Sequence, residues 1–135
     1  MSMLFKMALF GVLGLGMEVI FTALLDRAKD SRRHLIGFSS LWYFPLYMIA
    51  PLYLSIAAPA LFALRWPVRG LIYMVSFFVF EYVGMWSIRK LVGSSPSEAN
   101  YRKARWNVHG LIRLDFAPAW FSAGLLIEGL YRRLP

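Results

Sequence analysis

Four long stretches of the chain are nearly free of charge, and polar residues gather in the short segments between them. The apolar stretches run over about 3–25, 38–64, 70–91 and 110–131. A hydrocarbon layer roughly 30 Å thick takes about 20 helical residues to cross, and each stretch reaches that length. Within a bilayer the backbone must satisfy its own hydrogen bonds, so such runs are predicted to be helices. The connections are short enough to join antiparallel neighbours. The pattern therefore predicts an all-α, polytopic membrane protein, one transmembrane domain over 1–135 built as a four-helix bundle. The first stretch is kept as a span because its run of about 19 apolar residues exceeds the ~7–15 of a secretory signal. No A-x-A cleavage site follows it.

Composition agrees, with 59% hydrophobic residues in a chain of 135, against roughly 45–50% in soluble domains. In a soluble protein the net charge of +8 would suggest nucleic acid. Here the basic residues lie between spans, so membrane lipid is the expected partner and nucleic acid is not. Lys and Arg near span ends mark the cytoplasmic side. Loop one carries Arg27, Lys29, Arg32 and Arg33; loop three carries Arg89, Lys90, Arg102, Lys103 and Arg105. The opposite side has Lys6, Arg65, Arg69, Arg132 and Arg133. Nine against five predicts that loops one and three face the cytoplasm and both termini lie outside. Attraction to anionic lipid is a sufficient reason for such clusters.

Several chemistries drop out. With no cysteine, disulfides, thiolate metal sites and iron–sulfur clusters are excluded. No nucleotide-binding glycine loop occurs. His34 and His109 lie in or near loops, away from the membrane depth a haem pair needs, and no H-x-x-x-H spacing supports a metal. No cofactor or metal is expected.

The second span opens with GFSSLWYFPLY. Ser39 or Ser40 can cap its helix, and Trp42, Tyr43 and Tyr47 suit an interfacial aromatic belt. Pro45, Pro51 and Pro59 each lack a backbone donor and predict a bent or broken span. The stretch GSSPSEANYRKARWNVHG reads as a polar, locally mobile loop.

The polar residues inside the spans are the candidates for function. At 100° per residue, Gly11, Gly14, Glu18 and Thr22 share one face of span one to within about 80°. Gly70, Tyr73, Phe77, Glu81 and Gly84 share a face of span three in the same way. Small residues let membrane helices approach closely, so both glutamates are expected to face the bundle interior. Glu18 lies eight residues before Asp26 and Glu81 eight before Arg89. Each therefore sits roughly 12 Å below the same basic side. Two neighbouring carboxylates would repel unless they shared a proton or held a cation.

Span four begins NVHGLIRLDFAPAW. Asn107 and His109 sit at its mouth, and Arg113 and Asp115 about one turn inside. Asp115 points about 200° from Arg113 on an ideal helix, so which of them faces inward stays open. Helix N-termini at spans two and four favour anions. With Arg113 they make a basic rim over an acidic floor of Glu18 and Glu81. Such a site suits a zwitterion, a metal-bound phosphate or a phospholipid headgroup. Near the other side, Glu128 with Arg69 reads as a structural ion pair. Ionisable groups within spans cost about 2.5–3.5 kcal/mol on insertion scales and are functional suspects. Helix-to-helix hydrogen bonding is the plain alternative.

The motifs EVIFTAL, GFSSLWYFPLY, RGLIYMVSFFVFEYVGMW and NVHGLIRLDFAPAWFSAGLLIE, in this order over nearly the whole chain, resemble the bacterial family labelled Putative ABC-transporter type IV. The resemblance implies a multi-pass protein of the bacterial inner membrane and a transport role. The family-like polar positions are Glu18, Ser39, Ser40, Pro45, Arg69, Glu81, Asn107, His109, Arg113, Asp115 and Glu128. It implies no catalytic roles, and an ABC system would require a separate ATPase subunit because this chain has no phosphate loop. The first expectation is a permease-like homo-oligomer with its polar site in the cytoplasmic half. The alternatives are a membrane-embedded enzyme acting on a lipid or prenyl-phosphate, and a non-catalytic scaffold subunit.

Overall fold

The computed structural model describes residues 1–25 and 33–135. Asp26, Arg27, Lys29 and Arg32 lie outside the described residues, and with them most of the first basic loop and the anchor of the Glu18 depth comparison. The structure is mostly helical, at 74%. Helix α1 spans Met3–Leu25, α2 Tyr43–Leu61 and α3 Trp66–Val92. These three are long and apolar enough to cross a membrane. Their exposed faces are greasy: Leu4, Val12 and Ile20 on α1, and Leu71, Val75, Val79 and Val83 on α3, are all solvent-accessible. Exposed apolar surface on this scale needs a covering, and lipid supplies it.

The chain forms two compact units, 1–53 and 54–135. In the first, α1 offers Gly11 and Gly14 as seats for the rings of Phe44 and Tyr47; a Cβ at Gly14 would stand 2.0 Å from the Tyr47 ring. The expected start of the second helix at 38 moves to Tyr43. Gly37 explains this, because a Cβ there would lie 1.8 Å from the Val19 carbonyl oxygen. The chain must pass α1 at backbone contact before it can turn into a helix. Helix α2 then runs unbroken through Pro45, Pro51 and Pro59, so the expectation of a broken span is not met. Pro45 falls in the first turn, where its missing N–H is not needed, and Pro51 is fully buried.

In the second unit α3 buries Gly70, Tyr73, Glu81, Met85 and Ile88 along one face. A final helix follows a more elaborate connection than the sequence predicts. A short helix α4 (Glu98–Tyr101) leads to a hairpin of β1 (Asn107–Val108) and β2 (Ile112–Arg113), a 3-10 turn at Leu114–Phe116, and α5 (Ala117–Arg133). The expected helix from 110 is thus replaced over its first seven residues. His109 and Gly110 take φ of 54° and 70°, which no helix accommodates. The Asn107 side chain fixes the turn, accepting the Gly110 N–H at 2.9 Å and donating to the Ala104 carbonyl at 2.6 Å. Pro118 near the start of α5 suits a helix N-terminus. At 17 residues, α5 reaches about 26 Å.

Helices α3 and α5 pack through small-to-large contacts. Gly70 lies under the Phe121 ring and Gly124 under Tyr73, while Phe77 and Trp120 stack with centroids 4.9 Å apart. The loop between α3 and the hairpin is not an open polar segment. Ser95, Ser97 and Glu98 are all buried in it.

Candidate functional site

Glu18 sits on α1 one turn beyond Gly14. Because Gly14 lets the Tyr47 ring lie against α1, the phenol reaches along the helix and donates to Glu18 Oε1 at 2.5 Å. Tyr47 is 4% exposed, so it belongs to the interior and not to the interfacial belt expected of it. Thr22, one further turn along the same face, accepts the Phe38 N–H at 2.8 Å and lies 2.9 Å from the Phe38 carbonyl. It holds the approach to α2 in place. Ser40 shapes the next turn: its Oγ accepts the Trp42 N–H at 3.4 Å and its carbonyl the Tyr43 N–H at 2.9 Å. Ser39 is exposed. Both serines lie at the helix entrance, and Ser40 acts on the backbone.

Glu81 occupies the buried face of α3 at 5% exposure, and its Oε1 accepts the Tyr101 hydroxyl at 3.2 Å. The Tyr101 ring meets Phe116 edge-on at 5.8 Å. The Arg113 guanidinium lies over Phe116 at 4.2 Å and over Tyr101 at 5.9 Å. The question of which of Arg113 and Asp115 faces inward dissolves, since neither is on the helix. Arg113 instead grips Asp115 with two nitrogens, Nε at 3.1 Å and Nη2 at 2.5 Å. Glu81, Tyr101, Phe116, Arg113 and Asp115 thus form one chain of contacts from the buried helix face to the mouth of α5.

His109 is exposed. Its Nδ1 is 2.9 Å from the Tyr82 hydroxyl, and its carbonyl accepts from Arg89 Nη2 at 2.6 Å. Asn107 is a turn-former, as described above. The expected Glu128–Arg69 ion pair is present, Arg69 Nε lying 2.8 Å from Glu128 Oε2. Tyr73 also donates to Glu128 Oε2 at 2.6 Å, and Arg132 pairs with Oε1 at 2.8 Å.

A family model described as Putative ABC-transporter type IV matches residues 5–134. The chain belongs to that family. Neither the curated proteins nor the solved structures give a significant match. The apolar helices and the transporter-type family together identify a membrane protein.

Sequence reasoning missed one acidic residue in this type IV family chain. Glu98 is 7% exposed and bonds the Arg89 Nε, with Arg102 Nη2 at 2.6 Å and the Ser95 N–H at 3.2 Å. The Arg89 hydrogen bond holds its carboxyl below the ordinary carboxylate range; burial opposes this, and the Ser95 N–H and the charges of Arg89 and Arg102 add to it. Its only sequence signal was an acid in a basic loop. Sequence reasoning also placed Tyr47 in the interfacial belt and left out Tyr101, the two phenols that serve Glu18 and Glu81.

Proposed function

We propose that this type IV family chain is a permease-like subunit of the bacterial inner membrane. It crosses four times, places loops one and three in the cytoplasm and works as a homo-oligomer, with a separate ATPase if an ABC system drives it. Glu18 is the working carboxylate, exchanging a proton or a cation, and Glu81 is a second candidate within its own unit.

One contrast carries this reading. Glu128, Glu98 and Asp115 are each paired with arginine. Glu18 meets a phenol, and no Lys, Arg or His is ion-paired with it among the described residues. A neutral donor steadies a carboxylate without cancelling its charge, which within a span is costly. A proton or a cation would complete the site. The enzyme alternative has less support, because it needs Arg113 and His109 on a phosphate while Arg113 is closed on Asp115 and His109 on Tyr82.

The test is proton release from detergent-solubilised protein in weakly buffered solution, on addition of a panel of inorganic and organic cations. At least one cation is expected to displace protons from the wild type and none from Glu18→Gln. If no cation moves the pH, or Glu18→Gln releases as many protons as the wild type, Glu18 is a structural residue.

A further inference from the structure

The end of α3 and the loop beyond it display two tryptophan–cation pairs on the outside of the molecule. Trp86 is 47% exposed and Trp106 57%. Lys90 Nζ lies 5.7 Å from the centre of the Trp86 ring, and the Arg105 guanidinium 5.5 Å from that of Trp106. An indole with a cation at its face, placed where a helix leaves the apolar layer, suits the headgroup region. There the ring sits among acyl carbonyls and the charge meets phosphate.

The second pair is held in place. The Trp106 carbonyl accepts the Leu114 N–H at 2.9 Å, and Asn107 pairs with Arg113 across the hairpin. Ser97 Oγ donates to the Gly110 carbonyl at 3.1 Å. Buried Glu98 joins Arg89, on the last turns of α3, to Arg102 just after α4. Trp106 is therefore presented at a fixed position beside the end of a membrane-length helix.

Charge gives the surface its sign. Between 89 and 116 stand six cations and two acids. Both acids are engaged in internal pairs. Lys90, Lys103 and Arg105 are exposed and have no carboxylate partner among the described residues.

We propose that residues 101–106, together with Trp86 and Lys90, are a docking surface for anionic phospholipid headgroups. Lys103 and Arg105 meet the phosphates, and Trp86 and Trp106 rest in the interface. The inference depends on α3 crossing the membrane and not on the role of Glu18.

The experiment is native mass spectrometry of the full chain in non-ionic detergent, titrated separately with phosphatidylglycerol and phosphatidylcholine. The wild type is expected to retain phosphatidylglycerol preferentially. Lys103→Gln with Arg105→Gln is expected to weaken phosphatidylglycerol binding roughly twenty-five-fold, about five-fold per charge, and to leave phosphatidylcholine binding unchanged. Arg65→Gln with Arg133→Gln, an equal charge change among exposed residues at the other end of α3 and α5, is expected to keep the preference. Equal retention of the two lipids by the wild type overturns the proposal, as does a preference surviving in the loop variant. An equal loss in the control variant also overturns it, by showing attraction to net charge alone. So does capture of a soluble acidic protein by the loop without any lipid preference.

Discussion

Substituting Gly14 by alanine tests the seat that brings Tyr47 to Glu18. The added Cβ would stand 2.0 Å from Tyr47 Cγ and 2.5 Å from its Cβ, atoms near the root of the side chain that cannot swing clear. Overpacking of this kind costs about 1–3 kcal/mol. Displacing the ring also breaks the 2.5 Å bond to Glu18, and hydrogen bonds between membrane helices are worth about 0.6–1.7 kcal/mol. Replacing glycine in a helix returns about 1 kcal/mol. The net expectation is a loss of about 1–3 kcal/mol. Gly16, two residues along, has nothing within 4 Å of an added Cβ, so Gly16→Ala should stabilise by up to about 1 kcal/mol. Unfolding of both variants in the same mixed-detergent series, read by circular dichroism, gives the difference directly. A separation of about 1–4 kcal/mol is expected. If the two alanines agree within about 0.5 kcal/mol, the close approach of Tyr47 to α1 is wrong, and Tyr47 does not serve Glu18 in this way.

Glu98 makes a prediction about pH. Its folded pKa is depressed, so its contribution to stability is full above the unfolded carboxylate value near 4.3 and falls away as pH drops through the lower folded value. Protection from hydrogen exchange at 94–113, relative to the intrinsic rate, should be high at pH 5 and fall below about pH 4. Glu98→Gln should lower it at pH 5, converge with the wild type at the acid end and so flatten the dependence. Glu128→Gln, which leaves Arg69 without its buried carboxylate, should destabilise by about 3 kcal/mol. Arg132→Gln should cost less than about 1 kcal/mol, since that side chain is 42% exposed and its pairing is screened by solvent. Equal losses in the last two would mean that Glu128 draws its support from Arg132 and not from α3.

The faces of the helices were legible because a membrane reverses the usual contrast. In an apolar helix the small and polar residues mark the inside, and Gly11, Gly14 and Thr22 on α1 and Gly70, Tyr73 and Glu81 on α3 fall where that rule puts them. The Glu128–Arg69 pair was legible for a related reason, because two opposite charges near one end of adjacent spans have few other partners. The start of the fourth segment was not. Leu111 and Ile112 are buried and continue the apolar run, but they are held in a hairpin. The decisive feature is positive φ at His109 and Gly110, set by the Asn107 side chain. Glu98 was hidden for the opposite reason. Its surroundings are polar in sequence, and its burial depends on Arg89, nine residues earlier and on another helix. Tyr47 sits beside Trp42 in sequence, so the belt reading applied equally to both. Only the cleft over Gly14 distinguishes them, Trp42 being 44% exposed and Tyr47 4%.

Trp66 and Trp86 both stand on the outer surface of α3, 60% and 47% exposed, and twenty residues of helix separate them. At 1.5 Å per residue that interval is about 30 Å, the thickness of a hydrocarbon core. The helix thus carries its own ruler. With an indole at each boundary, residues 87–92 extend about 9 Å past the plane at Trp86, and Glu81 lies only about 7–8 Å beneath it. An upright helix has no tilt left to give up, so a bilayer a few ångströms thicker would have to thin around it or draw one indole off its boundary. Drawing off Trp86 would sink Glu81 deeper, so lipid thickness becomes a variable that acts on this buried carboxylate.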